Sequence, residues 1–321
     1  VKQVKMRSLL DLPHDDVAFQ REWTTKGQRG LFLELAFFAG TVGPGLYMTS
    51  CLYRFHLGQL VGFLIVLLGY AGPHGLFLGR MERSWRAAMR PQSSWISRGF
   101  IFATLFLLFG GLSSAHYIPM LNVGPLRPDS AAFGAILVAG SVSAFLLALY
   151  PGFLFSIVRA IPSWHSVSLI PLFVVQAFGG GLSLTLILIQ IPGVAGPVVG
   201  SVLPLASVAI AAAASLTAAH LHTRRKANGA SRAAVERLLR GDYRALFLYG
   251  AVLGGIAAPL LLIALMLLGI ESGVLAVAAG LLQLSGVLLF KYCMLNVGAY
   301  SPLGASQLIG LATPPSADTR A

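Results

Sequence analysis

Eight apolar runs, each long enough to cross a bilayer, leave this chain little choice of fold. A hydrocarbon core of about 30 Å takes about 20 helical residues at 1.5 Å apiece. The runs fall at about 31–54, 56–79, 95–117, 133–159, 167–191, 198–220, 245–270 and 274–295. In lipid, backbone N–H and C=O groups need partners inside the segment, which a helix supplies. Only 11% of the 321 residues are charged, against about a quarter in a soluble domain. The sequence therefore specifies an all-α, polytopic integral membrane protein with eight transmembrane helices. A basic loop follows the second run of each half, which suggests two four-helix bundles. The expected organisation is a polar segment at 1–30, a first bundle at 31–159, a second at 160–299 and a tail at 300–321.

The net charge of +12 does not mark a nucleic-acid binder, because basic residues beside membrane spans orient the chain and meet anionic lipid or a partner. All but Arg54 and Arg127 of the 23 Lys and Arg fall on the side of the termini. That bias predicts a cytoplasmic location for both termini and for the even-numbered loops. The loop at 79–99 is the most basic stretch of the first half, with Arg80, Arg83, Arg86, Arg90 and Arg98 against Glu82 alone. As an α-helix it would gather four arginines into an arc of roughly 120°, opposite Met81, Trp85 and Ala88. One reading is purely topological. The other is a docking surface for an acidic or cofactor-bearing partner, formed by Arg80, Arg83, Arg86 and Arg90 with Trp164 and His165. A second basic loop at 222–244 should carry a short surface helix near 231–240. Cys51 and Cys293 stand alone, too few for a disulfide framework, a zinc site or an Fe–S cluster held by this chain. The N-terminal segment lacks the apolar core and small-residue cleavage site of a signal peptide.

Ionisable groups inside a membrane are costly and point to function. Glu34, His74, Tyr150 and Gln176 all fall in the half of the membrane next to the basic loops, within roughly 6–15 Å of that surface. An acid, an imidazole, a phenol and an amide in one pocket can hydrogen-bond two carbonyl oxygens and move protons, which quinone chemistry requires. Glu34 and His74 are the candidate proton-exchanging groups; Tyr150, Glu34, His74 and Gln176 are the candidate quinone ligands. Bis-histidine haem is the rival use of the histidines, with His56 and His116 on the far side and His74, His165 and His220 on the near side. His56, His165 and His220 read as solvated residues at span ends. A haem b-bearing cytochrome subunit and a secondary transporter remain the alternative readings.

A set of short motifs recurs here in a familiar order. A Gly-rich first span precedes the arginine loop, which closes on Pro91-Gln92-Ser93-Ser94-Trp95-Ile96-Ser97. Tyr150-Pro151-Gly152, the stretch from Arg159 through Pro162 and Trp164, and Pro171-Leu172-Phe173 follow. Over about residues 30–185 this resembles the NrfD/PsrC family, the membrane subunits of polysulfide-reductase-like complexes. The resemblance implies an eight-helix, quinone-reactive anchor with no haem or Fe–S cluster of its own, in a bacterial cytoplasmic membrane. It would exchange electrons between an Fe–S partner subunit and menaquinone or ubiquinone, beside a molybdopterin catalytic subunit. The family's quinone-linked tyrosine of the fourth span maps onto Tyr150. Glu34 is offset by one from the family's polar positions at Leu31 and Leu35. Phe77 stands where relatives carry a histidine, and Met81 replaces the Pro that usually follows Gly-Arg. The basic bias puts the motif-bearing face in the cytoplasm, which favours an oxidising catalytic partner such as a sulfite, formate or acyl-CoA dehydrogenase.

Overall fold

A computed structural model describes residues 28–78, 81–270 and 272–299. Arg80, most of segment 1–30 and all of tail 300–321 lie outside the described residues. Among the described residues, eight helices are long and apolar enough to span a membrane: α1 (Gly30–Leu52), α2 (His56–Leu76), α3 (Trp95–Tyr117), α4 (Ala131–Ser156), α5 (Leu169–Leu188), α6 (Val199–Ala227), α8 (Ala245–Leu267) and α9 (Gly273–Asn296). A surface helix, α7 (Gly229–Leu239), joins α6 to α8. The Asn228 side chain caps it by accepting from the Ser231 N–H at 2.8 Å, which stops α6 one residue earlier. Helix α6 therefore runs seven residues past the expected end at His220 and carries that histidine into the interior. His220 is buried, its Nδ1 bonded to Ser168 Oγ at 2.9 Å, so it is not a solvated end residue.

The most buried span is α1, followed by α5. The two meet at glycines: a Cβ on Gly45 would overlap the Ala177 carbonyl, and one on Gly181 would overlap the Gly45 backbone. Close backbone approach of this kind is how helices associate in lipid, where apolar burial gives no net drive. Helix α1 packs on α2, α4 and α5; α3 packs on α4 and α2; α5 also receives α4, α6 and α9, and α8 packs on α9. A second close crossing, Gly255 on Gly286, ties α8 to α9.

Two spans depart from ideal α-geometry. Ile65–Ala71 in α2 and Ala245–Ala257 in α8 are wound as π-helix, a widened form that gathers at functional positions. The arginine loop departs the other way. Met81–Met89 is a 3-10 helix rather than an α-helix. At three residues per turn, positions 83 and 86 eclipse, so Arg83 and Arg86 share one exposed edge rather than spreading over an arc. Arg86 lies over the Trp85 ring at 5.6 Å, and Arg90 is exposed just beyond the helix.

Candidate functional site

Three of the expected site residues gather at the basic end of the first four spans. Glu34 lies one turn into α1 and is only 6% exposed. Its Oε1 accepts from Asn296 Nδ2 at 2.7 Å, and the same amide nitrogen donates to the Tyr292 carbonyl at 2.9 Å. The last turn of α9 thus presents a fixed donor to a carboxyl group on α1. Phe37 follows Glu34 by three residues, on the same face of the helix. Its ring lies 6.2 Å from the His74 imidazole and packs edge-on against Phe155 at 5.3 Å. His74, on α2, packs with its ring tilted against Tyr70 at 4.4 Å, with Nδ1 3.3 Å from the Tyr70 carbonyl oxygen. That contact suits an Nδ1–H donor and leaves Nε2 as the base.

Tyr150, on α4, is 5% exposed. Its ring fills the space of the missing side chain at Gly99 on α3: a Cβ there would sit inside the ring. Tyr70 is seated in the same way against Gly40 of α1. Three spans, α1, α2 and α4, bring a carboxyl, an imidazole and two phenols to one end of the bundle, beside Phe37 and Phe155. This set can donate neutral hydrogen bonds to a carbonyl oxygen and exchange protons through Glu34 and His74.

The remaining expected residues divide. Gln176 is buried on α5, where it lines a small cavity with Thr217 and Gln283 among α6, α8 and α9. Trp164, expected on the docking face, is buried; its indole N–H donates to the Met294 carbonyl at 2.7 Å and its ring meets Phe155 at 4.7 Å. It supports the aromatic wall from behind. His165 is exposed beside it, with Nδ1 against the Ser156 carbonyl and its own carbonyl accepting from Arg224 at 2.7 Å. Arg83, Arg86 and Arg90 are exposed on the same end. A second basic feature is an open basin of about 450 Å³ lined by His222, Arg225, Lys226, Arg232 and Glu236.

Sequence reasoning misses Tyr70, Asn296 and Lys291. In the sequence, Tyr70 and Asn296 look like ordinary belt and end residues. Lys291 counts there with the basic surface; it is instead a buried residue inside α9. A lone lysine in an apolar run of 24 residues is the signal that could have exposed it.

An all-α bundle of eight membrane spans, with titratable side chains gathered beneath a basic face, defines a polytopic membrane protein. The family described as Polysulphide reductase, NrfD matches residues 30–301, and the chain belongs to that family. It is also similar to a sulfite dehydrogenase subunit of Allochromatium vinosum, at 29% identity over 145 residues, covering 39% of this chain and 44% of that protein. The match thus spans less than half the length of that relative.

Proposed function

We propose that this chain is the quinone-reactive membrane anchor of a respiratory oxidoreductase, passing electrons between an Fe–S partner subunit and the quinone pool. The observation that carries the reading is the convergence of Tyr150, His74 and the Asn296-bonded Glu34 at the basic end of the bundle. Reducing a quinone takes two electrons and two protons, and oxidising a quinol returns them. The Tyr150 hydroxyl donates to one quinone carbonyl while remaining neutral, which avoids the cost of a permanent charge in lipid. His74 Nε2 and the Glu34 carboxyl exchange protons at the other carbonyl, and Asn296 holds the Glu34 carboxyl in one orientation. Gln176 is left out of this set because its amide belongs to the neighbouring cavity.

Electrons reach the site from a partner seated on the basic face, where Arg83, Arg86 and Arg90 attract an acidic surface. Two isolated cysteines leave no thiolate set for an Fe–S cluster. On the far side, the His56 and His116 rings lie edge-on with their centroids 5.4 Å apart. Similarity to a sulfite dehydrogenase subunit favours a molybdopterin partner that oxidises sulfite, which suits a cytoplasmic basic face. The test is a photoreactive quinone analogue, cross-linked in membranes and mapped by peptide mass spectrometry. Labelling should fall on α1, α2 and α4 around Glu34, His74 and Tyr150, and an excess of natural quinone should suppress it. Competed labelling confined to residues 199–299 would place the quinone elsewhere.

A further inference from the structure

The open basin on the second basic loop is built from the end of one span and the start of the surface helix. His222, Arg225 and Lys226 come from the last turns of α6, Arg232 and Glu236 from α7. Arg232 Nε donates to the Arg225 carbonyl at 3.3 Å, which holds its guanidinium against the end of α6. Arg224 takes no part, because its Nη1 donates to the His165 carbonyl at 2.7 Å. Three cations and one carboxylate thus face a space of about 450 Å³, and none of the four forms an ion pair among the described residues. Arg225 and Lys226 suit the negative end of the α6 dipole. Arg232 does not have that excuse: it lies near the start of α7, where a cation opposes the dipole.

The height of the basin along α6 matches the headgroup layer of a bilayer. Counted from Val199 at 1.5 Å per residue, a hydrocarbon core of about 30 Å ends near Ala218. His222 and Arg225 stand about 6 and 10 Å beyond that point, against a polar layer about 5–8 Å deep on each side. Below them, Val208, Ala211, Ser215 and Ala218 continue the same exposed face at three- and four-residue spacing. The Ser215 hydroxyl donates to the Ala211 carbonyl at 3.0 Å, so it adds no free donor to this strip. Its small side chains form a shallow apolar track that leads up to the basin. A soluble anion would use the cations alone; a lipid uses cations and track together.

We propose that this basin binds the headgroup of an anionic phospholipid whose acyl chain lies along the α6 track. Basic pockets beside the ends of membrane spans take such headgroups. Arg225, Lys226 and Arg232 donate charge-assisted hydrogen bonds to phosphate oxygens, the arginines through two nitrogens at once. Glu236 opposes the anion from α7, so three cations less one carboxylate leave a charge of two, His222 counted neutral. That balance fits the two phosphates of diphosphatidylglycerol. A headgroup held by Arg225 and Arg232 together would tie the end of α6 to α7. The site is independent of any quinone chemistry in the first four spans.

Native mass spectrometry of the full chain in detergent, titrated with diphosphatidylglycerol or phosphatidylcholine, tests this. One diphosphatidylglycerol should bind about 100-fold more tightly than phosphatidylcholine, about five-fold for each of the three cations. Arg225→Gln, Lys226→Gln and Arg232→Gln combined should abolish that preference. Arg159→Gln, Arg240→Gln and Arg244→Gln remove the same charge outside the basin and should leave it intact. Ala218→Leu, on the track, should weaken lipid binding about three-fold. All seven side chains are exposed, so every variant should keep the wild-type melting midpoint. Equal loss in the two triple variants would reduce the preference to overall charge and refute the site. Displacement of the lipid by equimolar inorganic phosphate, or full lipid affinity in Ala218→Leu, would refute the lipid as occupant. Unchanged lipid binding in the basin variant, with loss of a partner subunit from the intact complex, would make the basin a protein contact instead.

Discussion

Tyr150 is held by an absence. Gly99 has no side chain, and the phenol ring occupies the space a methyl would take. Gly99→Ala should therefore push the ring from its seat without removing any titratable group. Overpacking of this kind costs about 1–3 kcal/mol. The expected result is quinone-linked turnover at least five-fold below wild type, with artificial-dye activity of the catalytic partner intact. Parallel quinone-reduction and dye-reduction assays on the intact complex measure both. Equal loss in the two assays would mean that Gly99 supports assembly rather than the tyrosine. The residue scale also bears on how Glu34 sits inside the membrane: Asn296 offers its carboxyl a hydrogen bond from a neutral amide.

At the scale of elements, the α1–α5 seam decides whether the bundle stays closed. Gly45→Ala would drive a methyl into the Ala177 carbonyl, and the helices must separate to admit it. The melting midpoint of the purified chain in detergent should fall, by about 1–3 kcal/mol of stability. Gly134→Ala on α4, where a Cβ meets open space, is the matched control and should leave the midpoint unchanged. This is also the scale at which the sequence is most and least readable. All eight spans are legible because hydropathy over about 20 residues has no competing explanation. Hydropathy alone overlooks the Asn228 cap, so it ends α6 too early and makes His220 a surface residue. The 3-10 form of Met81–Met89 and the π-winding of α2 and α8 leave no periodic trace in uniformly apolar or arginine-rich sequence. Depth alone places Glu34, His74 and Tyr150 toward the same end of the bundle, because helices that start at one surface bring similar depths together. Gln176 shares that depth but points to another cavity. Depth fixes height and says nothing about azimuth.

For the whole molecule, the distribution of Arg and Lys predicts orientation. Arg83, Arg86, Arg90 and the 222–244 loop share one end, with Arg54 and Arg127 at the other. Single cysteines at 90 and at 127, in a background lacking Cys51 and Cys293, should show opposite accessibility in intact cells. An impermeant maleimide should label position 127 from outside and position 90 only after lysis. Labelling of position 90 in intact cells would invert the molecule and move the partner across the membrane.

The account turns on a quinone reacting among Tyr150, Glu34 and His74, and turnover of two variants tests that most directly. Tyr150→Phe removes one neutral hydrogen bond, worth about 0.5–1.5 kcal/mol, and should weaken quinone affinity about three- to twelve-fold. Glu34→Gln keeps a hydrogen-bonding group but cannot titrate, so it should slow turnover and erase one limb of the pH–rate profile. Dye-linked activity, which bypasses this chain, should survive both changes. Normal quinone-linked turnover in Tyr150→Phe and Glu34→Gln alike would contradict the account.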